Sequence, residues 1–204
     1  MELPVDIEAI KGFMPPDEGA ALYTAASRES EKGPVLEVGT YCGKSAIYIG
    51  TACKENKSVL FAVDHHRGSE ENQPGWEHHD PETWDADVSA MDTMPILRRN
   101  LHRAGLEETV IPIVGQSHLV AKYWTTPLAM LFIDGGHSRE MAMGDYEGWT
   151  PHCAPGGLLA IHDVFPNPDD GGRPPYEIYC IALESGKFVE EAAVGSLRLL
   201  RCVG

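Results

Sequence analysis

Five short, nearly continuous apolar runs stand out along the chain, at residues 35–38, 59–63, 110–114, 128–133 and 158–161, each bounded by Gly, Pro or polar residues. Unbroken rather than alternating hydrophobicity marks strands covered on both faces, as in a parallel sheet. Between the runs, helical patterns occupy 44–53, 88–104, 117–123 and 139–149. This alternation predicts an open α/β sheet with helices on both faces. A further helix, 16–29, precedes the sheet, and another follows at 176–184. Residues 187–194 and 196–203 then read as two strands joined by a tight turn at Gly195, which makes them an antiparallel pair. The sum is a mainly parallel seven-stranded sheet closed by an antiparallel pair. The 204 residues suit a single domain, with 1–33 as an N-terminal helical segment.

Two connections are too long to be simple turns. Residues 64–87 (DHHRGSEENQPGWEHHDPETWDAD) hold four of the nine histidines and two of the four tryptophans, and 163–175 (DVFPNPDDGGRPP) is rich in Pro, Gly and Asp. Loops of this length inside a compact domain are usually functional or disordered, and Trp76 and Trp84 favour function for the first.

Charge narrows the partners. Sixteen Lys and Arg against thirty-one Asp and Glu leave a net charge of −15, and the one basic cluster (Arg98, Arg99, His102, Arg103) reads as a solvated helix face. A nucleic-acid substrate, whose phosphates need a basic stripe, is therefore not expected. No apolar run approaches membrane-spanning length, and the first residues lack the basic and apolar regions of a secretion signal. Five scattered cysteines without a CxxC pair suit a reducing compartment. A cytoplasmic protein is expected.

The first strand ends in Glu37 and runs into Gly39-Thr40-Tyr41-Cys42-Gly43-Lys44-Ser45, which opens a helix. The glycines permit a sharp turn and close approach of a ligand to the backbone, and the helix start adds free N–H groups. A methionine carboxylate fits there, with an acidic residue nearby for its ammonium. The second run leads into Asp64, where a carboxylate accepts from ribose hydroxyls, a placement shared with dinucleotide enzymes. The third leads into Gly115-Gln116-Ser117-His118, small polar groups suited to an adenine edge.

Residues 35–45 (VLEVGTYCGKS) resemble motif I of the class I S-adenosylmethionine-dependent methyltransferases. They are closest to the metal-dependent small-molecule O-methyltransferases of catechol type, which share the Tyr-Cys-Gly variant. Residues 115–118 resemble the adenine-contacting segment of the same group. The resemblance extends from about residue 34 to 165. It implies a Rossmann-like methyltransferase fold and a cofactor site of Glu37, Gly39, Thr40, Tyr41, Gly43, Ser45, Asp64, His65, Gln116, Ser117 and Asp134.

The fourth run delivers Asp134-Gly135-Gly136-His137 and the fifth His162-Asp163. In an open α/β sheet, ligands bind outside the carboxyl ends of the strands, so these residues should share one crevice. Methylation of a hydroxyl needs alignment and proton removal. Asp134 and Asp163 are hard oxygen ligands suited to Mg²⁺. The family implies Asp134 as a metal ligand and His137 as general base, the residue that bacterial, macrolide-type sugar O-methyltransferases use there. His162 departs from the family's acidic pair: either it lies outside the metal's ligands or the metal is softer than Mg²⁺. Asp145 reads as a solvated or capping carboxylate.

The expected acceptor is a small carbohydrate, held by Glu71, Trp76 and His78 of the long loop, with Glu70, Asp80 and Trp84 near them and Tyr176 and Arg173 opposite. Residues 64–80 resemble actinobacterial sugar O-methyltransferases, with mycobacterial mannoside methylation as the particular case. A homodimer is expected from a protruding N-terminal helix. An NAD-dependent oxidoreductase and a non-catalytic adenosylmethionine-binding protein are the competing readings. The first lacks G-x-G-x-x-G, and the second has no need of a histidine three residues after Asp134.

Overall fold

The structure, a computed structural model, describes residues 1–69, 72, 73, 75, 79–136 and 138–204. Helix α1 (Pro16–Glu29) precedes strand β1 (Val35–Val38), which is followed by α2 (Lys44–Glu55) and β2 (Leu60–Asp64). A small antiparallel pair, β3 (Trp84–Asp85) and β4 (Ala90–Met91), forms within the long segment after β2. Then come α3 (Met94–Ala104), β5 (Val110–Val114), α4 (Ser117–Lys122), β6 (Leu128–Ile133), α5 (Arg139–Trp149) and β7 (Cys153–Ile161). Helix α6 (Pro174–Glu184) and strands β8 (Phe188–Val194) and β9 (Leu197–Cys202) complete the order.

Seven strands form one sheet in the order β5-β2-β1-β6-β7-β9-β8, in which β9 alone runs against the others. This is the mainly parallel sheet with a terminal antiparallel pair. The side chains of β6 show why it is apolar throughout. Met130 and Phe132 enter the core shared with α1, α2 and α3, while Leu131 and Ile133 enter the core shared with α4, α5 and α6. Alternate residues of a strand face opposite sides, so a strand covered twice has no polar positions to spare.

Two elements start several residues from where the sequence pattern places them, and one helix sits differently from its expectation. Helix α3 begins at Met94, not at 88, because Ala90 and Met91 pair with Asp85 and Trp84 and Pro95 occupies the helix's first turn. Strand β7 begins at Cys153, not at 158, since Gly156 and Gly157 sit at a register shift against β6 instead of ending the strand. Helix α1 does not protrude. Leu22, Ala25 and Ala26 are buried against α2, and a Cβ on Gly19 would lie 2.3 Å from the Tyr48 ring. The argument for a dimer from a free helix therefore falls away. Among the described residues no helix is long and apolar enough to cross a membrane.

Candidate functional site

The carboxyl ends of β1, β2, β5, β6 and β7 open on one cleft of about 1510 Å³. Ligand pockets commonly measure about 300–1,000 Å³. This cleft has room for two small molecules side by side.

The loop after β1 is held by carboxylates below it. Asp64 Oδ2 accepts from the backbone N–H of Thr40 (3.0 Å) and Tyr41 (2.8 Å), and Oδ1 accepts from His66 N–H (2.7 Å). Tyr41 is thereby kept at φ 49°, a left-handed conformation uncommon for a bulky residue. Three of the roughly four lone-pair positions of the carboxylate are used, which leaves one for a ligand hydroxyl. Glu37 does not reach the cleft wall, contrary to its expected direct contact with the cofactor. It is fully buried, and its two oxygens accept from the hydroxyls of Ser45 and of Thr40 (3.1 Å), both of which line the cleft. When Glu37 is ionised those hydroxyls spend their protons on it, and their lone pairs face the cleft as acceptors. Burial, and then the charges of Asp134 and Asp64, push Glu37 up to about 8 against the opposing hydroxyl bonds.

Gly39 lines the cleft and Gly43 does not. A Cβ on Gly43 would meet Leu97 Cδ1 at 2.6 Å, so its role is to let α2 start close to α3. His65 is on the wall, with Nδ1 accepting from Arg67 N–H (3.1 Å).

After β5, Gln116 and Ser117 line the cleft as expected, but the Ser117 hydroxyl is already engaged. It accepts from Trp149 Nε1–H (2.7 Å) and donates to Asp145. The backbone of this segment, not the Ser117 hydroxyl, is what remains for an adenine edge. Asp145 corrects the expectation of a solvated carboxylate: it is 5% exposed on the cleft floor, and burial raises its pKa to about 6. Its sequence signal was its place within the buried stripe Ala142, Asp145, Tyr146, Trp149 of α5.

At the ends of β6 and β7 the charged groups converge. His162 is 4% exposed, with Nδ1 2.9 Å from Asp134 Oδ1 and 3.5 Å from Asp163 Oδ2. Its other nitrogen, Nε2, lies 2.5 Å from Glu18 Oε2 of α1. Burial alone lowers an imidazole's pKa. Here the Asp134 charge and hydrogen bonds to Asp134, Asp163 and Glu18 outweigh it and push His162 up to about 12. Asp163 adopts φ 55°, a strained conformation that turns its carboxylate into the cluster. Ligating atoms of Asp134, His162 and Asp163 all lie within 4.8 Å of one another. Glu18 is a member that sequence reading missed. It is buried at one end of the stripe Glu18, Leu22, Ala25, Ala26, Glu29, and an acid in an apolar stripe was the available signal.

The expected base His137 and acceptor residues Glu71, Trp76 and His78, with Glu70, lie outside the described residues. Of the long segment after β2, the cleft is lined by Arg67, Ser69, Asn72 and Gln73. Asp80 instead pairs with Lys11, and Trp84 packs edge-on to His79. Tyr176 is not among the residues that line the cleft, whereas its neighbour Pro175 is. The Arg173 guanidinium covers the Tyr176 ring at 4.1 Å, and Tyr179 packs beside it.

A family model described as a methyltransferase domain matches residues 36–164, the span from β1 to just past Asp163. Among solved structures, the chain is similar to the O-methyltransferase NovP, with a TM-score of 0.69 and 15% identity over 92% of this chain and 80% of that one. It is similar to the O-methyltransferase TomG from Streptomyces achromogenes, involved in tomaymycin synthesis and solved with adenosylmethionine. There the TM-score is 0.65 at 16% identity, over 94% and 82% of the two chains. An O-methyltransferase from Bacillus cereus in complex with adenosylhomocysteine gives a TM-score of 0.65 at 15% identity, over 93% and 82%. At these identities the likeness establishes a shared fold.

Proposed function

The chain belongs to the methyltransferase-domain family, and from that premise we propose that it transfers the methyl group of adenosylmethionine to a hydroxyl of a small carbohydrate. Family membership removes the oxidoreductase alternative. The observation that carries the reading is one cleft that joins the Asp64-tethered loop to the Asp134, His162 and Asp163 cluster.

In this reading the cofactor's ammonium donates to the Ser45 and Thr40 hydroxyls, and its ribose donates to Asp64. The adenine lies along Gly115–Gln116 above Asp145. The methyl then faces the ends of β6 and β7. His137 removes the proton of the acceptor hydroxyl. Two carboxylates and an imidazole nitrogen form a donor set that fits a divalent ion. Such an ion stabilises a developing alkoxide when bound. The residues of 64–87 form the acceptor side. The N-terminal segment, 1–33, contributes to the site through Glu18. Mannosides are the favoured acceptors. Turnover with methyl-labelled adenosylmethionine against mannosides, catechols and simple alcohols, with and without EDTA, tests it. Label should enter a glycoside, stop with EDTA and return with added divalent ion. Absence of transfer to every glycoside would remove the acceptor assignment.

Glu37 makes cofactor binding pH-dependent. An ammonium bound against Ser45 and Thr40 favours the ionised carboxylate behind them, so binding lowers the Glu37 pKa from about 8 and releases a proton. A group whose pKa falls on binding supports affinity above its free value and withdraws that support as pH drops through it. The dissociation constant for adenosylhomocysteine should rise by up to about tenfold per pH unit between pH 8 and 6.5. Calorimetry across that range should also show the profile flattened in Glu37→Gln. An unchanged slope in that variant would contradict the assignment.

A further inference from the structure

Glu18 is buried 144 residues in sequence from the histidine it contacts, and its surroundings are built to keep it there. Oε1 accepts from Ser196 N–H (2.6 Å), and both oxygens lie 3.2 Å from the Ser196 hydroxyl. The turn between β8 and β9 makes room for it, since a Cβ on Gly195 would stand 2.1 Å from Oε1. The remaining bond, to His162 Nε2, fixes the imidazole so that Nδ1 points at Asp134 and Asp163. Spacings of 2.9 and 3.5 Å between Nδ1 and the two carboxylate oxygens are those of ligands that share one ion at about 2.1 Å.

We propose that Glu18 is a positioning residue for the divalent ion, holding His162 so that Nδ1 joins Asp134 and Asp163 in a one-nitrogen, two-carboxylate set that selects Mn²⁺ or Co²⁺ over Mg²⁺. The inference rests on the metal-assisted reading above. Imidazole favours first-row transition ions, whereas Mg²⁺ prefers oxygen donors throughout. A ligating histidine commonly donates its second ring N–H to a carboxylate, and loss of that partner typically costs 10–100-fold in metal affinity. On binding, the ion takes the place of the Nδ1 proton, which leaves to solvent. Glu18 touches neither ion nor acceptor in this arrangement.

The test is ion binding to the whole protein, read without turnover. Free Mn²⁺ is followed by electron paramagnetic resonance, with Mg²⁺ added as competitor. Wild type should hold Mn²⁺ more tightly than Mg²⁺. Bound Mn²⁺ should show ¹⁴N coupling in pulsed spectra. Glu18→Gln should weaken Mn²⁺ about 10–100-fold and leave Mg²⁺ and metal-free adenosylhomocysteine binding within about threefold, so the ratio of the two ions shifts as no general loosening would shift it. Equal affinity for the two ions, or no ¹⁴N coupling in wild type, overturns the inference whether or not the variant folds, and leaves an all-oxygen metal site standing. No ion binding at all, with turnover indifferent to EDTA, overturns the metal-assisted reading as well.

Discussion

Replacing His137 by alanine should lower the turnover number about 10²–10⁴-fold, the range a positioned general base contributes, while adenosylhomocysteine affinity stays within about twofold. The reason is partly elimination. His162 is the other histidine at the ends of β6 and β7. Both of its ring nitrogens are committed to carboxylates, and its pKa stands near 12. With Nε2 on Glu18 and Nδ1 on Asp134 or, in the proposed metal-bound form, on the ion, it has no nitrogen left to accept a proton from an acceptor hydroxyl. His65, beside the Asp64 loop, and His118, after β5, also line the cleft, both on the side proposed for the cofactor. On the proposed reading, proton removal next to Asp134 is assigned to His137, three residues along the chain. Single-turnover transfer of a labelled methyl group measures the loss, and calorimetry with adenosylhomocysteine measures the control. Turnover within threefold of wild type would remove His137 as the base.

Gly39→Ala should destabilise the fold by about 2–5 kcal/mol. About 1–2 kcal/mol comes from a left-handed alanine and about 1–3 from overpacking. Gly39 has φ 88°, and a Cβ there would lie 2.0 Å from the Asp134 carbonyl oxygen and 2.9 Å from Gly135 Cα. The neighbours are backbone at the end of a central strand, hydrogen-bonded through Asp134 N–H to Val38. They have no rotamer to change. Gly186→Ala supplies the comparison: it also has positive φ (69°) but nothing within 4 Å, so it should lose only the conformational part, about 1–2 kcal/mol. Urea unfolding of the two variants separates conformational strain from collision. Equal midpoints would refute the steric account. The same clash would push the cofactor loop off Asp134, so residual folded Gly39→Ala should bind adenosylhomocysteine poorly.

Gly39 and Asp134 were both visible as site residues in the sequence, since each sits where an apolar run stops. That kind of signal is local: a strand end, a glycine spacing and a carboxylate at a fixed offset are legible within ten residues. By such signals the sheet, its terminal antiparallel pair and the common cleft were readable. The starts of α3 and β7 were not. One depends on pairing between β3 and β4, the other on a bulge against β6.

Within the site the division is sharper. The sequence by itself determined which strand ends carry chemistry, because a parallel sheet sends all its carboxyl ends to one side. It could not determine what those side chains do once packed. Glu37 meets the cleft only through Ser45 and Thr40 because it is sealed beneath them. The Ser117 hydroxyl is spent on Trp149 and Asp145. The Tyr176 ring is covered by the Arg173 guanidinium. Glu18 belongs to the cluster only because α1 lies against the turn between β8 and β9, 178 residues away. Each of these outcomes follows from burial: a polar group removed from water must find a partner, and that partner is chosen by the tertiary fold, not by the neighbouring residues.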